Sequence, residues 1–219
     1  MSCKLNRPFT VTVEGNIASG KSTFLGYLAR FPEICTVYVS GDYEHGRFLI
    51  FLQEPLEKWC DVEGSNLLDL LYQNIDRNGY LFHHYIQLTR LQMHMQETAK
   101  PIRILERSLH SSYCIEFVES FNVYYKHIPT VYLQTSPEVV YTRLQSRSRP
   151  EERDIPMEYL VDVHKTHEDW LVMRSHGTIP CPVIVLDASK PVNELVNSEY
   201  PKIKDIIWRK AMSCDDIAC

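Results

Sequence analysis

The sequence predicts an α/β fold: a doubly wound sheet of about five parallel strands flanked by helices. Two observations predict it. Short apolar, β-branched runs alternate with longer helical patterns, and a glycine-rich motif stands between the first run and the first helix. Strands buried on both faces of a parallel sheet have near-continuous apolar sequences, as these runs mostly do. The predicted strands are 9–13, a run within 34–52, 102–105, 130–133 and 182–186.

The helical patterns fall between these runs. Ser136 followed by Pro137 is a typical helix start, because a serine side chain accepts a free backbone N–H and proline suits the first turn. The tail 198–219 shows only one or two helical turns. Since no repeat or linker interrupts the pattern, residues 1–219 are expected to form one domain. The other predicted helices are 22–31, 66–72, 83–96, 136 to about 147 and 156–171.

Composition excludes several classes of protein. The chain has 219 residues, 44% of them hydrophobic, and a net charge of −5, which argues against nucleic-acid or membrane-surface binding. Seven scattered cysteines without a C-x-x-C pair indicate reduced thiols. With no apolar run of roughly 18 residues and no visible transit peptide, we expect a cytoplasmic or nuclear protein.

A phosphate-binding loop motif follows the first strand. Residues 15–22 read G-N-I-A-S-G-K-S, which fits G-x-x-x-x-G-K-[ST]. In such a loop, backbone N–H groups and a helix N-terminus face the phosphates, the lysine reaches the β- and γ-phosphates, and the serine hydroxyl coordinates Mg²⁺. The motif therefore predicts a site for a nucleoside triphosphate, built from Gly15, Asn16, Ile17, Ala18, Ser19, Gly20, Lys21, Ser22 and Thr23.

Two carboxylates stand where strands are predicted to end. Glu54 follows the second strand, and Glu106-Arg107 follows the third. Residues just past the carboxyl ends of parallel strands line the ligand crevice. A carboxylate there can take the proton of a hydroxyl that attacks the γ-phosphate, and an arginine can stabilise the transferred charge. Because the chain also lacks the guanine motif N-K-x-D, we expect a kinase of a small hydroxylated substrate.

Arginines are concentrated in residues 143–153. Basic residues favour helix C-termini, so a solvated helix end is one interpretation. The other is a lid that closes over the triphosphate and excludes water. The phosphate-binding loop favours the lid, with Arg143, Arg147 and Arg149 on the phosphates.

Together these residues resemble the deoxyribonucleoside kinase family, most closely its multisubstrate and mitochondrial-thymidine-kinase-like branch. The resemblance covers residues 8 to about 189. It rests on six motifs in the same order: E-G-N-I at 14–17, E-P-L-E-K-W at 54–59, E-R-S at 106–108, T-S-P-E at 135–138, the Arg/Glu lid, and H-E-D-W-L at 167–171.

The resemblance implies phosphorylation of a 2′-deoxyribonucleoside at its 5′-hydroxyl by ATP with Mg²⁺. Glu54 resembles the base that takes the 5′-hydroxyl proton, and Arg107 its partner at the 5′-oxygen and phosphate. Glu106 resembles the carboxylate that helps hold Mg²⁺, to which the role of proton acceptor is alternatively given. The implied binding residues are Tyr72 and Glu152 for the sugar 3′-hydroxyl, Trp59 and Phe82 for the base-pocket walls, and Asp187, Ala188 and Ser189 beside the ATP base.

The chain departs from the family where the nucleobase is read. His83 replaces a glutamine that makes paired hydrogen bonds to the base edge, and an imidazole offers one donor and one acceptor on differently placed atoms. Arg90 stands where thymidine-preferring members have methionine, whereas deoxycytidine and deoxyguanosine kinases have arginine. The segment 111–117 lacks an arginine and has a displaced base-stacking phenylalanine. The preferred base is therefore left open.

Two length differences complete the departures. After Glu119 the chain is shorter than the family by much of a helix–loop–helix, which contributes to the homodimer that the resemblance implies. Residues 39–53 are additional; they are either a retained in-frame intron or an ordinary surface-loop insertion. Two other functions stay open: a nucleoside monophosphate kinase, and a non-catalytic isoform that binds nucleotide or a partner subunit.

Overall fold

A computed structural model describes residues 8–31, 49–111, 129–147, 149–152, 155–175 and 182–213. Within these ranges five strands form one sheet in which every neighbouring pair is parallel. The strands are β1 (Phe9–Glu14), β2 (Leu49–Leu52), β3 (Ile102–Glu106), β4 (Thr130–Gln134) and β5 (Val183–Asp187). Their order is β2-β3-β1-β4-β5, which confirms the predicted doubly wound α/β architecture.

Seven α-helices of five or more residues flank this sheet in the described ranges: α1 (Lys21–Leu28), α2 (Leu56–Cys60), α3 (Leu67–Gln73), α4 (Ile75–Met95), α5 (Pro137–Arg147), α6 (Met157–His167) and α7 (Tyr200–Ser213). Helix α4 begins eight residues before the predicted start at 83, because the Asn74 side chain accepts a hydrogen bond from the Arg77 N–H at 3.0 Å and caps it. In the same ranges no helix is both long and apolar enough to cross a membrane.

The main core lies between one face of the sheet and helices α1 and α7. Val11, Val13 and Leu133 point to this face, and the rings of Phe24 and Tyr200 meet edge to face with centroids 4.9 Å apart. The sequence prediction of one or two turns in the tail was wrong, because α7 has 14 residues. Its buried residues, Tyr200, Ile203, Ile207 and Ala211, recur at helical spacing and complete this core.

The opposite face of the central strands is polar. Side chains alternate along a strand, so the valines of β1 leave Thr12 and Glu14 on this side. Thr12 and Thr130 share a hydrogen bond of 3.0 Å between their hydroxyl oxygens. The Tyr132 hydroxyl donates to Glu168 Oε1 at 2.7 Å. This buried polar layer runs from the sheet centre to the strand ends where the site is built.

Strand β2 bears on the hypothesis of an inserted segment. Residues 49–52 lie within the segment 39–53, yet they pair with β3 in register Leu49 to Ile102 and are at most 5% exposed. An ordinary surface-loop insertion is therefore the wrong description of these four residues, which form an integral edge strand. Residues 39–48 of that segment, and the shortened segment after 119, lie outside the described residues.

Candidate active site

The phosphate-binding loop is a tight turn between β1 and α1. Gly15 has φ of +147°, and a Cβ atom there would lie 2.6 Å from Ser19 Oγ and 2.9 Å from the Leu133 carbonyl oxygen. Gly20, with φ of +100°, stands immediately before α1. Any side chain at position 15 would collide with the loop itself, so the close approach of backbone to phosphate that the motif predicts requires glycine there.

Lys21 and Ser22 are the first residues of α1. Lys21 is buried, and its Nζ donates to the carbonyl oxygens of Gly15 at 3.1 Å and Asn16 at 2.7 Å. Burial, together with the nearby positive charge of Arg107, lowers the pKa of Lys21 to about 7. The ammonium group thus lies against the loop whose phosphates it is predicted to bind.

A pair of oxygen ligands lies at the same helix start. Ser22 Oγ donates to Glu106 Oε1 at 3.4 Å. Hydroxyl and carboxylate oxygens suit Mg²⁺, which usually takes only one or two protein carboxylates and completes its shell with phosphate and water. Accordingly, the described residues contain no group of three or more His, Cys, Asp or Glu placed to hold a metal. The donor set fits a nucleotide-bound Mg²⁺.

Glu54 lies between two arginines at the ends of β2 and β3. Its Oε2 is 3.4 Å from Arg107 Nε, and its Oε1 pairs with the guanidinium of Arg90, which comes from α4. Burial by itself would raise the pKa of Glu54, but Arg90 and Arg107 outweigh it and hold that pKa below its usual value. The carboxylate is therefore ionised and able to accept a proton.

The pKa of Glu106 is shifted in the opposite direction from that of Glu54. Burial and the adjacent negative charge of Glu54 raise the pKa of Glu106. Two neighbouring carboxylates whose pKa values move apart are suited to different roles. Glu54 stays ionised beside its two arginines, and Glu106 lies against Ser22 at the predicted metal position.

The predicted lid contains an internal ion-pair cluster. Arg147, the last residue of α5, pairs with Glu152 through two nitrogens, one of them Nε at 3.1 Å from Oε2. Arg149 reaches the same carboxylate at 3.5 Å. Glu152 is buried, whereas the side chains of Arg147 and Arg149 are 33% and 40% exposed. The structure thus brings the predicted lid residues together around one carboxylate.

Arg143 joins the phosphate-binding loop to the loop after β5. Its two terminal nitrogens lie 3.5 Å from the Ser19 carbonyl oxygen and 3.1 Å from the Lys190 carbonyl oxygen. Ser189 Oγ accepts from the Ser136 N–H at 3.0 Å. The predicted ATP-base loop at 187–189 is therefore held beside the phosphate-binding loop.

Tyr72 lies at the junction of the lid and the phosphate-binding loop. It packs, as Ile17 and Ala18 do, on the buried apolar cluster of α5 and α6, and its ring meets Tyr159 of α6 edge to face with centroids 6.4 Å apart. Burial, with contributions from Tyr159 and the negative charge of Glu152, raises the pKa of the Tyr72 hydroxyl. Tyr72 stays a neutral hydrogen-bonding group near Glu152, as the predicted sugar contact requires.

The predicted base pocket is lined from α2 and α4. The rings of Trp59 and Phe82 are edge to face, 5.9 Å apart, and Trp59 Nε1 donates to Thr89 Oγ1 at 3.1 Å. His83 is an exposed residue of α4, and partial burial together with Arg90 lowers its pKa. The apolar walls are thus fixed by packing, while position 83 lies at the solvent side.

Two residues near the site, Gln87 and Glu14, received no role from the sequence, and Asn16 makes a contact that the motif does not predict. Gln87 is buried on α4 one turn after His83 and one turn before Arg90. The spacing i, i+4, i+7 is the signal that could have found it. Asn16 Nδ2 donates to the Leu160 carbonyl oxygen at 2.9 Å and so joins the phosphate-binding loop to α6. Glu14, fully buried, carries no local signal beyond its place before the loop.

Comparisons with known proteins identify a family. A sequence model of the deoxynucleoside kinase family matches residues 11–123 and 115–211. Mitochondrial thymidine kinase 2 from Macaca fascicularis is similar at 34% identity, with 85% of this chain and 73% of that protein covered. The Homo sapiens protein of that name is 33% identical with the same coverage. Deoxycytidine kinase from Homo sapiens is 27% identical, with 90% of each chain covered.

The match to the family model also shows how far the resemblance extends along the chain and where it is divided into two pieces. It extends to residue 211, which includes most of α7, whereas the sequence analysis ended the resemblance near 189. The two matched pieces meet at residues 115–123. This is the region in which the chain is predicted to be shortened.

Proposed function

Because the chain belongs to the deoxynucleoside kinase family, we propose that it transfers the γ-phosphate of ATP to the 5′-hydroxyl of a 2′-deoxyribonucleoside in nucleotide salvage. The observation that carries this proposal is the position of Glu54, ionised between two arginines beside the phosphate-binding lysine. A base within reach of a γ-phosphate site suits proton removal from an attacking hydroxyl.

In the proposed reaction, a Glu54 oxygen accepts the proton of the 5′-hydroxyl as that oxygen bonds to the γ-phosphorus. The bond from the γ-phosphorus to its bridging oxygen breaks, and ADP leaves with the bonding electrons. Arg107, 3.4 Å from Glu54, is placed to stabilise the charge that spreads over the transferred oxygens. In this scheme Glu106 is assigned to Mg²⁺ and not to the proton, because it lies 3.4 Å from Ser22 Oγ.

The phosphates are assigned to the loop amides and to Lys21. Mg²⁺, when bound, neutralises charge on the β- and γ-phosphates, and Ser22 and Glu106 are the residues that would hold it. We assign Arg147 and Arg149 to the triphosphate as well. Since they pair with Glu152 in the structure, they would exchange part of that pairing for phosphate when the lid binds ATP.

The nucleoside is assigned to the pocket between α2, α3 and α4. We assign Tyr72 and Glu152 to the sugar 3′-hydroxyl. We assign the aromatic pair Trp59 and Phe82 to the walls of the base pocket. Arg90, buried on α4, is then the proposed selector of the base edge, and His83, the second predicted selector, lies on the exposed side of the same helix. The proposal therefore names a deoxyribonucleoside and leaves the choice of base to measurement.

A homodimer through α4 is also proposed. Its outward side chains Tyr80, Leu81, Leu88 and Met95 are between 52% and 77% exposed and lie on one side of the helix. A stripe of large apolar side chains of this kind marks a protein interface. Light scattering after gel filtration tests the pairing: Leu81→Glu combined with Leu88→Glu should give a monomer, whereas wild type should elute as a dimer.

We propose further that residues 1–219 act as one unit in the cytosol or nucleus. Helix α7 packs into the same buried core as β1, which supports one unit. The scattered cysteines support a reducing compartment. Limited proteolysis that released a stable fragment would contradict the first statement. Localisation of the tagged chain in mitochondria would contradict the second.

The decisive experiment is a phosphorylation assay with ATP and Mg²⁺ on thymidine, deoxycytidine, deoxyadenosine and deoxyguanosine, with thymidine monophosphate as a fifth acceptor. Glu54→Gln should retain ATP binding and lose at least about a hundredfold in kcat. Glu57→Gln, at an exposed site on α2, is the matched control and should behave as wild type.

The outcomes separate the three candidate functions. Turnover of a deoxynucleoside supports the proposal and ranks the bases. Turnover of thymidine monophosphate alone indicates a nucleoside monophosphate kinase. A folded protein that binds ATP without turning over any acceptor indicates the non-catalytic isoform, and an unaffected Glu54→Gln variant would overturn Glu54 as the base.

A further inference from the structure

Glu14 is a buried carboxylate with no role in the reaction described so far. It is the last residue of β1, fully buried, and directly precedes Gly15 of the phosphate-binding loop. Its Oε1 accepts a hydrogen bond from the Ser108 N–H at 2.7 Å, and its Oε2 accepts one from the Ser111 hydroxyl. A buried carboxylate is costly unless it is bonded in this way, so its position is tightly determined.

Both bonds go to the turn that carries Arg107. Arg107 has φ of +66°, in the left-handed region that residues other than glycine rarely occupy. Its own N–H donates to the Val13 carbonyl oxygen at 2.9 Å, and the next N–H, that of Ser108, donates to Glu14. The two peptide groups that flank this unusual residue are therefore both bonded to the end of β1.

The consequence for the side chain is geometric. Strained backbone conformations persist where surrounding contacts determine them, and here the contacts come from Val13 and Glu14. Held in this way, Arg107 directs Nε toward Glu54 at 3.4 Å. Since Glu14 is joined to Gly15 by a single peptide bond, the same strand end fixes both the phosphate loop and the guanidinium.

We propose that Glu14 is a positioning residue for Arg107, holding the 106–108 turn at a fixed distance from the phosphate-binding loop through its bonds to Ser108 and Ser111. The inference rests on the proposed function for its kinetic consequences. Glu14 touches neither the nucleotide nor the nucleoside in this assignment and acts only through Arg107.

A double-mutant cycle with Arg107→Ala tests this directly. If Glu14 acts through Arg107, Glu14→Ala should lower kcat about a hundredfold in the wild-type background and by less than about twofold in the Arg107→Ala background. KM for ATP should stay unchanged. Glu14→Gln, which keeps an acceptor for the Ser108 N–H, should recover most of the lost kcat. Glu57→Ala serves as the exposed control on α2.

Equal losses in the two backgrounds, or a loss confined to KM for ATP, would overturn the proposal. Should Glu14→Ala fail to fold, Ser111→Ala removes one of the two side-chain bonds and can replace it in the cycle. The smaller loss of kcat that Ser111→Ala causes should likewise disappear in the Arg107→Ala background.

Amide hydrogen exchange gives a readout that needs no activity. Glu14→Ala should speed exchange in the peptide that contains the Ser108 N–H and leave the α1 peptide unchanged, whereas unchanged exchange at Ser108 would overturn the proposal. A wild-type protein that phosphorylates no acceptor would overturn the proposed function instead, and the exchange result would still decide the role of Glu14.

Discussion

The 106–108 turn that carries Arg107 and the proposed lid both contain arginine–glutamate pairs, but the two sets of pairs differ in their exposure to solvent. Around Glu54 the arginine side chains of positions 90 and 107 are 5% and 12% exposed. Around Glu152 those of positions 147 and 149 are 33% and 40% exposed. Solvent screens the second cluster far more than the first. Groups that act on the reacting atoms are thus held in place, whereas groups that must admit substrate keep access to water.

A charge-conserving substitution at Arg107 is expected to have the largest effect, because this arginine belongs to the buried cluster around Glu54. Arg107→Lys keeps a positive charge but lacks the planar fork that places Nε beside Glu54. We expect kcat for the deoxynucleoside to fall by about a hundredfold to a thousandfold with KM for ATP little changed. Steady-state kinetics measures both constants, and a loss of less than about tenfold would show that charge alone is needed at this position.

The same substitution in the lid should have a smaller effect. Arg147→Lys still offers a cation to Glu152 and to phosphate, and its neighbour Arg149 remains. We expect less than about a tenfold change, mainly in KM for ATP. If Arg147→Lys instead lowered kcat as much as Arg107→Lys, the lid would be as geometrically constrained as the buried turn, and the contrast between the two regions would fail.

Local patterns predicted most of the fold and pointed to the candidate site residues. The five strands and the phosphate-binding loop follow from runs of a few residues, and Glu54 and Arg107 follow from their places after strands. The contact of Glu14 with Ser108 joins residues 94 apart, and that of Arg90 with Glu54 joins residues 36 apart. Such contacts depend on strand register and helix rotation, which no local pattern encodes.

One wrong prediction and one imprecise prediction have the same origin. Helix α7 has a helical pattern whose apolar residues gain most of their stabilisation from the core that they share with α1 and the sheet, and propensity alone gave it one or two turns. The strand that the sequence located only within 34–52 is confirmed at Leu49–Leu52, and its pairing with β3 supplies the bounds. Tertiary contacts decided both cases.

Arg90 connects the buried cluster to base selection. Arg90→Met removes the cation that pairs with Glu54 and gives the residue that thymidine-preferring members of the family have. We expect the ratio of kcat/KM for thymidine to that for deoxycytidine to rise by about tenfold. Competition between the two nucleosides in one reaction measures this ratio directly. An unchanged ratio would show that Arg90 serves Glu54 only and does not read the base.

The influence of the buried charges extends to His167, the last residue of α6. Its ring stacks on Tyr132 at 5.7 Å, and its Nδ1 lies 2.7 Å from the Val163 carbonyl oxygen. Burial, followed by the positive charge of Arg107 and with smaller contributions from Lys21 and His164, lowers the pKa of His167 to about 3. The folded protein therefore keeps this imidazole neutral, while the unfolded chain protonates it near pH 6.5.

This difference predicts a loss of stability on acidification. Above about pH 6.5 neither state binds the proton, and between about pH 6.5 and pH 3 only the unfolded state does. His167 should therefore lower the free energy of unfolding by up to about 1.4 kcal/mol per pH unit in that range. His167→Asn should lessen this slope in urea titrations. Equal slopes in the wild type and His167→Asn would mean that the imidazole is protonated in the folded protein, and hence that burial and the charge of Arg107 do not lower its pKa.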